Sequence, residues 1–155
     1  MKTCRQQYVR VNVDFIHAKL SAAAIKVMFL LASIAQAAAT DTISITNAHI
    51  SDRTGLTNIT RIINELYAAG AIQERIERYK DNRRKCNAYV LSDAIVNPKG
   101  YCFVPVKALE LPKSSLRLLM LYTIKCNSRG RCLMSLTQLQ DLSGMSRGTI
   151  IACTK

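Results

Sequence analysis

The chain has 155 residues and carries 22 Lys and Arg against 10 Asp and Glu, which gives a formal charge of +12. Apolar residues make up 49% of the chain; this excludes a disordered basic tail, because such a tail lacks the side chains that form a core. The length suits one full domain or two small ones. So large a positive charge predicts a polyanionic partner or an acidic membrane surface.

The cysteines and histidines form no pattern that indicates catalysis or metal binding. None of the six cysteines stands in a C-x-x-C pair; their number alone would allow disulfides, but the length and apolar content favour free thiols in a reducing cytoplasm. His17 and His49 have no metal-ligand spacing, and no glycine-rich phosphate loop is present. The sequence therefore predicts a cytoplasmic protein that is not an enzyme and has no catalytic residue, metal or cofactor.

A strand and a long helix are predicted at the start of the chain. Residues 8–16 (YVRVNVDFI) alternate apolar and polar side chains, which predicts a half-buried strand. Ser21 is placed to cap a helix that runs to about Ala38. Residues 21–39 are nearly uncharged, so a membrane span, or an export signal with a cleavage pattern at 35–37 (AQA), is an alternative. The high alanine content, a lysine within the stretch and the ordered strand before it favour the central helix of a globular domain, without a membrane.

The next segment has the pattern of two short helices joined by a tight turn. Residues 42–46 (TISIT) predict a short strand, and Thr46 can cap the first helix. Gly55 allows the left-handed backbone that the turn requires. Thr57 is placed to cap the second helix, which Gly70 can end. This spacing predicts a helix-turn-helix.

The second of these helices has two faces of different character. The apolar face is formed by Ile59, Ile62, Ile63 and Leu66. The other face carries short polar groups and an arginine, which suit contacts with base edges and phosphates, although an ordinary solvated helix face has the same composition. The candidate DNA-binding residues on it are Thr57, Asn58, Thr60, Arg61 and Asn64.

A basic hairpin is predicted directly after this helix. Residues 71–79 and 86–92 have strand patterns, and the turn between them, 80–85 (KDNRRK), is basic. Such a tip can lie against phosphates or enter a minor groove; a solvated hairpin tip is the alternative. Its candidate DNA-binding residues are Lys80, Arg83, Arg84 and Lys85.

The pattern of the first half recurs in the second half. The strand pattern at Tyr8 returns at Tyr101, and the apolar helix pattern returns over residues 112–122. The helix-turn-helix pattern returns from Ser135, which has the spacing of a capping box with Gln138. The second copy of the candidate interface consists of Ser146, Arg147 and Thr149.

Together these patterns predict a mainly helical α+β fold with two tandem winged-helix units. Residues 1–92 form the first unit, residues 93–100 form a linker, and residues 101–155 form the second. The sequence ends within the second recognition helix, so we expect that unit to be truncated before its wing and the chain to be a fragment of a longer protein. Residues 1–92 hold 13 cations and 7 anions, and the remainder holds 9 and 3, so each part carries +6.

The helix-turn-helix with its basic hairpin resembles the winged helix of many bacterial DNA-binding proteins, over about residues 42–92 and more weakly over 101–155. A tandem pair of such units is similar to plasmid replication initiators and related mobile-element proteins. The resemblance implies that Thr57, Asn58, Thr60 and Arg61 lie on a recognition helix, that Arg83, Arg84 and Lys85 lie on a wing, and that Ser146, Arg147 and Thr149 open a second recognition helix. Glu65 and Glu77 depart from a uniformly basic surface.

Sequence-specific binding of double-stranded DNA is therefore the first functional hypothesis, as a replication initiator or a transcriptional regulator of a plasmid or other mobile element. The second hypothesis is a winged-helix module for protein–protein interaction, including homodimer formation. An exported or membrane protein that uses residues 21–39 is the third.

Overall fold

The fold is α+β and mainly helical, as the sequence predicts. The computed structural model describes residues 7–17, 20–80, 83–125, 129 and 131–154, and it describes the side chains of all of these except 17 and 77–86. Within these residues the chain forms eight α-helices, one 3-10 helix and two small antiparallel sheets. None of the described helices combines the length and the hydropathy needed to cross a lipid bilayer.

The elements follow one another in two similar series. The first half contains β1 (Tyr8–Asn12), α1 (Val13–His17), α2 (Ala22–Ala38), β2 (Thr42–Ile45), α3 (Asn47–Thr54), α4 (Ile59–Ala68), β3 (Ile72–Lys80) and β4 (Arg83–Leu91). The second half contains α5 (Asp93–Val96), β5 (Tyr101–Pro105), the 3-10 helix (Val106–Glu110), α6 (Lys113–Lys125), α7 (Leu136–Ser143) and α8 (Arg147–Thr154). The two predicted helices are thus present as α3 and α4, and the hairpin is present as β3 and β4.

The first strand is shorter than the predicted strand over residues 8–16. It ends at Asn12, whose side-chain oxygen Oδ1 accepts a hydrogen bond of 2.8 Å from the backbone N–H of Asp14. This local bond turns the backbone and starts helix α1 at Val13. The apolar alternation continues past the end of the strand because Phe15 and Ile16 still pack in or against the core from the short helix.

Strands β1 and β5 form a two-stranded antiparallel ribbon that joins the two halves. Tyr8 lies opposite Pro105, and Arg10 lies opposite Phe103. Tyr8 and Tyr101 occupy equivalent positions of the sequence repeat, so Arg10 and Phe103 are also equivalent positions. These two equivalent residues lie opposite each other in the ribbon. The ribbon therefore has a local two-fold symmetry that passes between these two residues.

The second sheet has three antiparallel strands in the order β2-β4-β3. The strand before the helix-turn-helix pairs with the far strand of the hairpin, with Ile43 opposite Tyr89. Ala71, which follows α4, and Ile72 at the start of β3 are both buried. The sheet thus holds the hairpin against the helix pair, and α2 covers the same core.

One main hydrophobic cluster takes residues from both halves. Helix α2 contributes most of it and is buried on most sides, as in Phe29 and Leu30, while Leu116 and Leu121 of α6 pack in the same cluster. Lys26 is also buried here, and its Nζ donates a 2.8 Å hydrogen bond to the backbone oxygen of Leu111. Burial lowers the pKa of this lysine. A second, smaller cluster has Leu118, Leu139 and Ile150 as its buried members.

The segment predicted as a linker contributes to the core. Residues 93–96 form helix α5, in which Ile95 and Val96 are buried. Gln36 of α2 fixes this segment, because its Nε2 donates to the backbone oxygens of Arg10 at 2.8 Å and Ile95 at 3.0 Å. An Asn-Pro pair indicates a turn, but it does not reveal that apolar residues just before it are buried. The predicted boundaries of two units at 92 and 101 stay a prediction.

The cysteines whose side chains the structure describes are free thiols. They are Cys102, Cys132 and Cys153, and burial raises the pKa of Cys102. Cys4, Cys86 and Cys126 lie outside the described side chains.

Candidate nucleic-acid interface

Hydrogen bonds within the turn between α3 and α4 fix the direction in which α4 leaves. The hydroxyl of Thr46 caps α3 by accepting from the backbone N–H of His49 at 3.1 Å. Gly55 ends α3 in the left-handed conformation, with φ of 68°. The Ser51 hydroxyl then donates to the backbone oxygen of Leu56 at 2.6 Å. The predicted cap and the predicted glycine turn are both confirmed.

Helix α4 begins one residue later than the sequence predicts. Its N-cap is Asn58, not Thr57, and Asn58 has a positive φ of 55° and makes no side-chain capping bond. Asparagine is among the residues that enter this region at least cost. The turn thus contains a second left-handed residue after Gly55, and the helix starts one residue later than predicted.

The two faces of α4 are separated as predicted. Ile59, Ile62, Ile63 and Leu66 are all buried. The candidate interface residues are all exposed, and they are Thr57, Asn58, Thr60, Arg61 and Asn64. The polar face is therefore open to a partner, which is the geometric condition for a recognition helix.

A chain of hydrogen bonds connects this polar face to the three-stranded sheet. Asn47 at the start of α3 donates through Nδ2 to the Thr60 hydroxyl at 3.3 Å. The Tyr89 hydroxyl of β4 donates to Asn47 Oδ1 at 3.5 Å, and Asn87 Nδ2 donates to the Tyr89 oxygen at 3.1 Å. The sequence pattern does not single out Asn47, because only the fold brings it beside Thr60. The one feature of the sequence that draws attention to Asn47 is its position directly after the N-cap Thr46.

The basic residues of the hairpin lie on its strands and not in a turn of 80–85. Strand β3 extends to Lys80, and strand β4 begins at Arg83, which pairs with Lys80. Continued strand pairing is the reason: the ladder runs further than apolar periodicity shows, since polar residues pair equally well through their backbones. Arg84 and Lys85 follow on β4. The side chains of these four residues lie outside the described part of the chain, so their role as contacts stays a prediction.

The second copy uses its polar residues partly for its own structure. Ser146 precedes α8 and caps it, because its Oγ accepts from the backbone N–H of Thr149 at 3.2 Å and lies 2.8 Å from the Thr149 hydroxyl. Thr149 is half-buried, while Ser146 and Arg147 are exposed. Arg147 is the first residue of α8, so its exposed cation is the group of the three that is best placed for a contact with a partner.

Glu65, which the sequence leaves as an acidic departure on the interface, serves a structural purpose. Its carboxylate accepts from the backbone N–H of Ser21 at 2.7 Å and from the Ser21 hydroxyl at 2.9 Å. A carboxylate at the start of helix α2 is favourable because the N–H groups there carry partial positive charge. Glu65 therefore ties α4 to α2. The side chain of Glu77 is outside the described residues.

No protein-family model, curated protein or solved structure matches this chain. The support for any function therefore comes from its own residues.

Proposed function

We propose that this protein binds double-stranded DNA sequence-specifically, with α4 as the recognition helix and the β3–β4 hairpin as the wing of a winged helix. The observation that carries the proposal is the division of α4 into an apolar face packed in the core and a polar face, including Arg61, that is open to solvent. Short polar side chains and an arginine supply the donors and acceptors that base edges and phosphates match.

The charge and the order of elements support the same proposal. The chain carries +12, and association with a duplex gains free energy when such cations displace condensed counterions. A helix, a strand, two helices and a hairpin follow each other, and the strand before the helix pair bonds to the last strand of the hairpin. This arrangement is the one that the sequence resemblance to winged helices leads us to expect. By extension, α8 with Arg147 serves as a second recognition helix.

The biological process belongs to the proposal as well. We propose a replication initiator or a transcriptional regulator of a plasmid or other mobile element, acting in the cytoplasm. The DNA sites selected from a random pool distinguish two ways of binding. Direct repeats indicate tandem units that act along iterated sites, and a palindrome indicates a symmetric dimer.

The direct test is selection of bound duplexes from a random pool by the unmodified protein, by Arg61→Ala and by the control Lys99→Ala, which removes an exposed cation far along the chain. We expect one enriched motif for the unmodified protein and for the control, and a changed preference at one or two positions for Arg61→Ala. Removal of a good bidentate pair with a base costs about 1–3 kcal/mol of discrimination. An unchanged motif with uniformly weaker binding would remove base reading from Arg61.

A second candidate function, a protein-interaction module that forms a homodimer, is favoured by the outer face of the β1–β5 ribbon. Tyr8 is 53% exposed and Phe103 57% exposed on that face. Tyr101 packs edge-on against Phe103 with 5.3 Å between ring centroids, and the Arg10 guanidinium lies 5.7 Å from the Tyr101 centroid. Clustered exposed aromatic rings are typical of interaction surfaces. If the ribbon is such a surface, sedimentation detects a dimer that Phe103→Ser dissociates; a monomer at all concentrations excludes this function.

A further inference from the structure

A pocket of about 290 Å³ opens beside the polar face of α4, and three helices begin at its walls. Ser21 is the N-cap of α2, Asn58 is the N-cap of α4, and Lys113 is the first residue of α6. The first turn of a helix presents backbone N–H groups without helical partners and carries partial positive charge. The convergence of three such ends therefore makes the pocket electropositive before any side-chain charge is considered.

One of these helix ends is satisfied by the chain itself, and the others lack a side-chain cap. The Glu65 carboxylate binds Ser21 at the start of α2. At the start of α4, Asn58 makes no capping bond. Pro112 lies before α6, and its backbone oxygen accepts from Leu116, but a proline side chain has no hydrogen-bond acceptor to offer the remaining N–H groups. Two helix ends at the pocket therefore retain N–H groups for an external acceptor.

The side chains add more positive than negative charge. Arg61 and Lys113 are exposed cations in the wall, and Glu65 is the one acidic residue among the described residues that line the pocket. Arg117, one helical turn after Lys113, is only 9% exposed, and its Nε has no hydrogen-bond partner. Burial lowers the pKa of Arg117, and the charge of nearby Glu65 opposes that effect. The pocket wall thus holds two cations and one carboxylate, and that carboxylate is already bound to Ser21.

We infer that this pocket binds a phosphate group, which Lys113 holds with the help of the Thr57 hydroxyl and the N–H groups at the starts of α4 and α6, beside the positive charge of Arg61 in the wall. An anion with several acceptor oxygens satisfies the donors and the excess charge together. The phosphate belongs either to the backbone of a bound duplex, in which case the inference rests on the proposed function, or to free phosphate. Lys113, in the second half of the chain, then completes a site built on the helix-turn-helix of the first.

The test compares Lys113→Gln with Lys99→Gln, which removes the same charge from another exposed position. The first assay measures the melting temperature while inorganic phosphate replaces chloride at constant ionic strength. For free phosphate at ten times its Kd, we expect the unmodified protein and Lys99→Gln to melt about 3–6 °C higher, and Lys113→Gln to show no rise. The second assay measures duplex affinity against salt concentration, where removal of one cation from a phosphate lowers the slope of log K by about 0.9.

The two assays separate the sources of the phosphate. A lower salt slope for Lys113→Gln than for Lys99→Gln assigns the pocket to the duplex backbone. A normal slope together with loss of the thermal shift assigns it to free phosphate. If Lys113→Gln behaves as Lys99→Gln does in both assays, the inference is overturned. If the unmodified protein binds no duplex, the proposed function fails, whereas the phosphate assay still decides the inference.

Discussion

The two segments with paired helices, α3–α4 and α7–α8, share their turn chemistry but differ in how they are buried. Thr46 and Ser135 cap the first helix of each pair, and each first helix ends at a glycine with φ of 68° or 67°. In each segment, a buried hydroxyl just before that glycine accepts from the backbone N–H two residues later. The two segments therefore use the same types of residue to set the backbone, a hydroxyl cap and a hydroxyl before a glycine, although only the glycine of these is identical.

Burial of the second helix of each pair separates the two segments. Helix α4 buries four apolar residues in the main cluster, and the hairpin follows it directly. Helix α8 buries Ile150 alone, within a cluster whose other buried members are Leu118 and Leu139. The comparison teaches that local turn signals define a helix pair, whereas its stability comes from the surfaces that other elements provide.

The largest expected effect tests this difference in burial. Ile63→Ala in α4 removes a side chain from the main cluster, and we expect a loss of about 3–5 kcal/mol in the free energy of unfolding. Ile150→Ala in α8 leaves a cavity in a small cluster that can relax around it, so we expect about 2 kcal/mol. Urea denaturation followed by circular dichroism measures both. Equal losses would contradict the proposed difference between the two segments.

The next effect concerns the hairpin, which the first segment has directly after its second helix. Combined replacement of Arg83, Arg84 and Lys85 by alanine should weaken binding to every duplex. It should also lower the salt slope by up to about 2.7, because each cation removed from a phosphate accounts for about 0.9. Arg147→Ala in the second segment should lower the slope by about 0.9 at most. Fluorescence anisotropy at several salt concentrations gives both slopes. A triple variant with the unmodified slope would remove the wing from the interface.

The caps give a smaller and more symmetric effect. Thr46→Ala and Ser135→Ala each remove an N-cap hydroxyl, and we expect each to cost about 0.5–2 kcal/mol of stability. Ser135 belongs to a capping box with Gln138, and the other bond of this box, from the Ser135 backbone N–H to Gln138 Oε1, does not need the hydroxyl. Thr137→Ala, at an exposed position of α7, is the matched control and should change stability by only a few tenths of a kcal/mol. Melting curves of the three variants show whether the two caps, which are alike in chemistry, also contribute equally to stability.

The smallest effect tests the turn residue that only the first segment has. Asn58 holds a positive φ of 55°, a conformation that glycine adopts without strain. Asn58→Gly should therefore leave stability unchanged or raise it by a few tenths of a kcal/mol, after the entropy that glycine adds to the unfolded chain is counted. Asn58→Val, which is β-branched, should lower stability by about 1–2 kcal/mol. Equal stability of the two variants in urea denaturation would show that the left-handed position does not constrain the turn.

The sequence predicts the local parts of this fold well and the long-range parts poorly. The caps at Ser21, Thr46 and Ser135 and the turn at Gly55 depend on neighbouring residues, and all are confirmed. The apolar face of α4 follows from the helical period. By contrast, β1 and β5 come from opposite halves of the chain, and no local sequence pattern identifies the partner with which a strand pairs.

The candidate site divides in the same way. The exposed face of α4 can be predicted because its apolar face fixes the orientation of the helix. The sequence does not predict the bond from Ser21 to Glu65 or the presence of Lys113 and Arg61 in one pocket, because each brings together residues far apart in the chain. The sequence also predicts too long a turn for the hairpin, because backbone pairing at its tip does not depend on apolar side chains.

The ribbon of β1 and β5 has a consequence for how the molecule is made. Strand β1 leaves the ribosome well before its partner, which ends at Pro105 in the second half of the chain. Until β5 emerges, the backbone N–H and C=O groups of β1 have no strand to pair with. An unpaired strand edge can associate with other nascent chains. Contacts between positions so distant in sequence also slow folding, because a large loop must close first. The helix pair of the first half can therefore fold before the ribbon, which is completed only after residues 101–105 have been made.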